Sequence, residues 1–113
     1  MLISGDDLST IPMIALGASG VISVTANAYP QHFSAMVKAA LKNDYKTARK
    51  YQYMLSDFTT SLFLEGSPSG IKAAMDALGL CQNYLRLPNV PVSRSTVNTI
   101  KSLMSTVVEP ISI

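Results

Sequence analysis

Apolar residues recur every three or four positions along most of this chain, and two short stretches near its start break that rhythm. Residues 1–4 read as the end of an apolar strand entering the polar turn "SGDD". In "GVISVTANAYP", residues 21–25 are apolar apart from Ser23 and Thr25 and are framed by Gly20, Asn27 and Pro30. That pattern predicts a strand buried on both faces, of the kind found in parallel sheets covered by helices. Between the two, Leu8, Ile11, Ile14, Ala15 and Leu16 fall close to helical spacing. Pro12 suits only a first turn, so a helix is expected over residues 9–16, stopped by Gly17 and Gly20.

After Pro30 the helical period takes over. Phe33, Met36, Val37, Ala40 and Leu41 share one face of a helix over 31–42. A break and a new cap follow at Asn43 and Asp44. Tyr45, Ala48, Tyr51, Leu55, Phe58, Leu62 and Phe63 then line a long helix over 44–65. A shorter helix is expected over 69–78, closed by Gly79. "LRLPNVPVS" is an extended, proline-punctuated link, and Ser93 caps a last helix over 93–107. Two parallel strands joined by one crossover helix cannot stand alone as a sheet. The second strand therefore calls for neighbours that this stretch does not hold.

Composition sharpens that expectation. Hydrophobic residues make up 48% of the 113 and charged residues 14%, against roughly 25% charged in an average protein. A small chain so poor in charge either associates with something or belongs to a larger body. Its net charge is +2, and Lys38, Lys42, Lys46, Arg49 and Lys50 are spread along helical faces with Asp44 among them. Nucleic-acid sites show denser cations with interleaved aromatics, so no nucleic-acid partner is expected. Cys81 is the sole cysteine, which leaves no disulfide framework and fits a cytosolic setting. The start lacks the pattern of a signal peptide, and no stretch approaches the roughly 18 apolar residues that span a membrane.

Candidate chemistry is sparse. Asp6 and Asp7 are adjacent carboxylates at a helix start, where capping is the usual role and lining a substrate entrance is the functional alternative. Asn27 suits a turn or cap, or a ligand contact. His32 is the only histidine, so neither a metal site nor a triad can be built around it. Tyr45, Tyr51 and Tyr53 read as helix-packing aromatics with polar tips near the surface. Gly17 and Gly20 do not complete a phosphate loop.

The motifs "SGDD", "GVISVTAN" and "LRLPNVPVS", in that order and spacing, resemble the C-terminal part of the dihydrodipicolinate synthase and N-acetylneuraminate lyase family of pyruvate-dependent Schiff-base aldolases. The resemblance covers residues 2–107. The turn Gly5-Asp6-Asp7 and the strand "GVISVTAN" look like the synthase branch rather than the lyase branch, whose strand resembles "GGIGSTYN". "EGSPSGIKAA" departs from the family's "NPIPVK" at Ser67, Ser69 and Gly70.

The resemblance implies an α/β fold, the end of a TIM (β/α)8 barrel followed by a C-terminal helical domain, with this stretch itself mainly helical. Residues 1–43 would hold the end of the seventh strand, the seventh helix, the eighth strand and the eighth helix. Residues 44–113 would hold three helices of the C-terminal domain. The parent enzyme would be a lyase condensing pyruvate with aspartate semialdehyde on the route to diaminopimelate and lysine, as a cytoplasmic homo-oligomer with contacts near Leu16. Related enzymes act on sialic acid or sugar acids, and a non-catalytic helical interaction module is the remaining alternative.

The family's Schiff-base lysine and its proton-relaying tyrosine lie upstream of this stretch. Lys72, the most apolar in setting, matches a lysine of a C-terminal helix, so no residue here is expected to be catalytic and the stretch alone is expected to be inactive. Ile22 matches a residue whose backbone lies beside the Schiff base and pyruvate, and Gly5 brings bare backbone to the pocket. These two are the expected substrate contacts, with Asp6 and Asp7 at the entrance. No cofactor and no metal are implied.

Overall fold

In the computed structural model, which describes residues 1–109, strands Ile3–Ser4 (β1) and Gly20–Val21 (β2) pair in parallel. Ile3 lies opposite Gly20 and Ser4 opposite Val21. The Ser19 N–H donates to the Leu2 carbonyl and the Ile22 N–H to the Ser4 carbonyl, which carries the ladder one bond further at each end. The crossover between them is helix α1 (Thr10–Ala15), with Pro12 in its first turn. It ends in a left-handed residue, Gly17 at φ 107°, whose N–H bonds the Ile14 carbonyl while that of Ala18 bonds Met13. This double closure satisfies carbonyls that the helix end leaves open.

The second strand is shorter than its apolar run predicts. Pairing stops after Val21, the Val24 backbone is already helical, and residues Thr25–Asn27 form a 3-10 turn. Hydrogen bonding accounts for this: the Ser23 hydroxyl accepts from the Ala26 N–H and the Asp7 carboxylate from the Thr25 N–H. Side-chain acceptors thus take amides that a ladder would have used. Burial on both faces is also absent in this chain, because the Ile22 side chain is 80% exposed.

Helix α2 (Pro30–Leu41) buries His32, Phe33, Met36, Ala39 and Ala40. Leu41, expected on the same face, is half exposed at the last position of the helix, and Asn43 at φ 63° turns the chain just beyond it. The Asp44 carboxylate then accepts from the Thr47 N–H and opens helix α3 (Tyr45–Ser61). Ala48, Tyr51, Leu55 and Phe58 of α3 are buried, as is Leu62 just beyond it. Tyr51 departs from the expectation of a tip near the surface, since it has no exposure at all, whereas Tyr53 is mostly exposed.

Residues 1–56 belong to one compact unit and residues 57–108 to another. In the second unit, helix α4 (Ser69–Ala77) packs against helix α5 (Arg94–Met104). Gly70 meets the backbone of Leu62 so closely that a Cβ there would overlap it. Ser93 caps α5, its hydroxyl accepting from the Thr96 N–H. Among the described residues no helix is long and apolar enough to cross a membrane.

Candidate functional site

Because β1 and β2 run parallel, their C-terminal ends lie at the same edge, and Gly5 and Ile22 follow directly from those ends. The turn after β1 is ordered by hydroxyl groups. The Ser4 hydroxyl donates to the Asp6 carbonyl at 2.8 Å and accepts from the Asp6 N–H at 3.2 Å. The Thr10 hydroxyl donates to the same carbonyl at 2.9 Å. Ser4 and Thr10 are wholly buried. Gly5 is exposed, with nothing within 4 Å of the place a Cβ would occupy.

The two adjacent carboxylates diverge into separate tasks. Asp6 stays at the surface, where one of its oxygens accepts from the Ser9 N–H at 3.0 Å and the Ser9 hydroxyl at 2.7 Å. These bonds tie the turn that leads into α1 rather than cap it, since the N-cap of α1 is Ser9, which has no side-chain cap bond. Asp7 turns inward and is 4% exposed. Its Oδ2 accepts from the Thr25 N–H and from the Thr25 hydroxyl, both at 2.9 Å. Its Oδ1 is buried without a hydrogen-bond partner among the described residues.

Beside these strand ends a groove of about 440 Å³ is lined by Val21, Ala26, Pro30, Phe33, Val37 and others, with Lys38 at its margin. Its walls are mainly apolar. His32 is buried, in edge-to-face contact with Tyr29 at 5.3 Å and Tyr51 at 6.2 Å. Burial pushes the Tyr29 phenol above its ordinary pKa. Asn27 serves the 3-10 turn, its amide donating to the Val24 carbonyl.

Five of the six lysines, at positions 38, 42, 46, 50 and 101, are exposed, and Lys72 is half buried. Lys42 also lies past the end of α2, at its C-cap, rather than within a helix.

Residues 1–107 match the family model described as the dihydrodipicolinate synthetase family. The chain belongs to that family. Among its curated relatives, the 4-hydroxy-tetrahydrodipicolinate synthase of Phocaeicola vulgatus is 41% identical over 104 residues, covering 92% of this chain and 35% of the relative. The crystal structure of the dihydrodipicolinate synthase from Aquifex aeolicus aligns with a TM-score of 0.87 at 40% identity, over 91% of this chain and 35% of that one. That of the chloride-inhibited dihydrodipicolinate synthase from Acinetobacter baumannii, complexed with pyruvate, aligns with a TM-score of 0.89 at 30% identity, over 93% and 36%. The chain thus spans about a third of the length of the family members it matches.

Of the four residues expected at a site, Gly5, Asp6, Asp7 and Ile22 all fall at the edge formed by the two strand ends. The sequence reading missed Ser4, Thr10 and Thr25, which organise that edge. Thr25 carried a weak signal, as a polar residue closing an otherwise apolar run. Ser4 and Thr10 carried none, since their roles depend on where the Asp6 carbonyl points.

Proposed function

We propose that this chain is the C-terminal part of a pyruvate-dependent Schiff-base aldolase, supplying the last two strand ends of a TIM barrel from residues 1–43 and a helical domain from residues 44–113. The parent enzyme condenses pyruvate with aspartate semialdehyde, toward diaminopimelate and lysine. The observation that carries this reading is the pairing of two parallel strand ends, with Gly5 and Ile22 following them, in a chain that matches the family over residues 1–107. Barrel active sites gather where strands end. The names of the curated relatives and the Gly5-Asp6-Asp7 turn favour aspartate semialdehyde over sialic acid or sugar acids as the aldehyde.

In this reading each residue has a defined task. The pyruvate Schiff base forms on a lysine that this chain does not supply, and the Ile22 main chain lies along it. Gly5 leaves room for substrate where a side chain would intrude. Asp6 faces the entrance. The chain alone is inert, because the lysine that carries the Schiff base is not among its residues. The exposed Leu2, Ile3, Ile22 and Leu16 are then covered in the assembled enzyme, a cytoplasmic homo-oligomer, Leu16 by subunit contact.

The test is complementation. The chain is mixed with the two thirds of the Aquifex aeolicus relative that has no counterpart here, and condensation is followed with pyruvate and aspartate semialdehyde. Activity is expected from the mixture and from neither part alone. A mixture that associates yet stays inactive would overturn the proposal.

A further inference from the structure

We propose that Asp7 is a positioning residue, whose carboxylate locks the turn after β2 onto the turn after β1 and so sets where the Ile22 main chain lies. The functional weight of this lock rests on the reading of Ile22 as a substrate contact given above. The ladder between the strands is short, and its last bond runs from the Ile22 N–H to the Ser4 carbonyl. Two-stranded pairs of this size are marginal on their own. Beyond Ile22 the backbone leaves the strand, and its course is set by other bonds.

Asp7 supplies two of them, reaching across 18 positions of sequence to the buried Thr25. Residues 22–25 are therefore pinned at both ends, by Ser4 at one and Asp7 at the other. Both donors converge on one carboxylate oxygen, each at 2.9 Å. The other oxygen is buried and meets no hydrogen-bond donor among the described residues. The bonds from Ser4 and Asp7 define a backbone segment that the short ladder alone does not hold.

Amide hydrogen exchange by NMR on the full chain tests this without substrate. Thr25→Val keeps the shape and the N–H but removes the hydroxyl donor, and Asp7→Ala removes the acceptor. Exchange at the Ile22 amide is expected to accelerate about tenfold in Thr25→Val, the scale of a lost buried hydrogen bond, while the amides of α3 change little. Thr25→Ser restores the hydroxyl and is expected to restore slow exchange. An unchanged Ile22 amide overturns the proposal, and so does uniform acceleration across residues 1–56, which marks a purely structural tie. If Asp7→Ala does not fold, the two Thr25 variants decide the matter. Because no substrate is involved, failed complementation removes the enzymatic reading and leaves the lock standing, and a failed lock leaves that reading intact.

Discussion

Replacing Gly70 by alanine puts one methyl group against the backbone of Leu62. A Cβ built on Gly70 lies 2.6 Å from the Leu62 carbonyl carbon and 2.7 Å from its Cα, and overlaps the carbonyl oxygen. Backbone cannot rotate away as a side-chain tip can, so α4 must move, or Leu62 must. Leu62 has no exposure, and Ile71, Ala73 and Ala74 of α4 are buried, so either shift disturbs a packed core. Overpacking of this kind costs about 1–3 kcal/mol. The overlap here is with main chain on both sides, which places the cost toward the upper end. Alanine recovers up to about 1 kcal/mol through its better helix propensity. The net expectation is a loss of about 1–2 kcal/mol, a fall in Tm of about 4–8 °C for a chain of this size. Thermal unfolding followed by circular dichroism reads it, with Gly5→Ala as the control, since nothing lies within 4 Å of that position. A Gly70→Ala protein as stable as the parent, or more so, would show that α4 does not seat on Leu62 as described.

Two further outcomes follow from the same packing. Tyr51→Ala empties a fully buried site and is expected to cost about 3–5 kcal/mol, as for large aromatics elsewhere, read by urea denaturation. Hydrogen bonds from Thr96 and Ser93 hold the Glu65 carboxyl below its ordinary pKa. A depressed value means that the contribution of Glu65 is full above the ordinary glutamate range and is lost as pH falls through the lower, folded-state value. Acid titration should therefore loosen the start of α5 in the parent, and Glu65→Gln should abolish that part of the pH dependence. Ser93→Ala, which removes the cap itself, should cost about 1 kcal/mol.

The helices were legible because each has an apolar face at regular spacing and recognisable ends: Gly17, Asn43 and Gly79 after helices, Asp44 and Ser93 before them. The strand over 21–25 was misjudged in length, since apolar content says nothing about who accepts each amide. Ser23 and Asp7 take those of Ala26 and Thr25 and turn the chain early. The order of the motifs brought Gly5 and Ile22 forward, and both follow directly from the paired strands. The wiring of that edge was not legible: Asp6 and Asp7 are neighbours in sequence, yet one bonds Ser9 at the surface and the other is buried against Thr25, 18 positions away. Gly70 stood out only as a departure from the family pattern, and its reason is a close approach of backbone that no local signal announces.

In the reading proposed above, this chain lines a pyruvate site whose nucleophile comes from elsewhere in the parent enzyme. The most direct measurement is an intact mass spectrum of the chain mixed with the complementary part of the Aquifex aeolicus relative, after pyruvate and borohydride have reduced any imine to a stable amine. The adduct is expected on the complementary part, with an unchanged 12.1 kDa species for this chain. A reduced pyruvyl adduct on the 12.1 kDa chain would contradict it, because one of its exposed lysines or Lys72 would then be the activated amine.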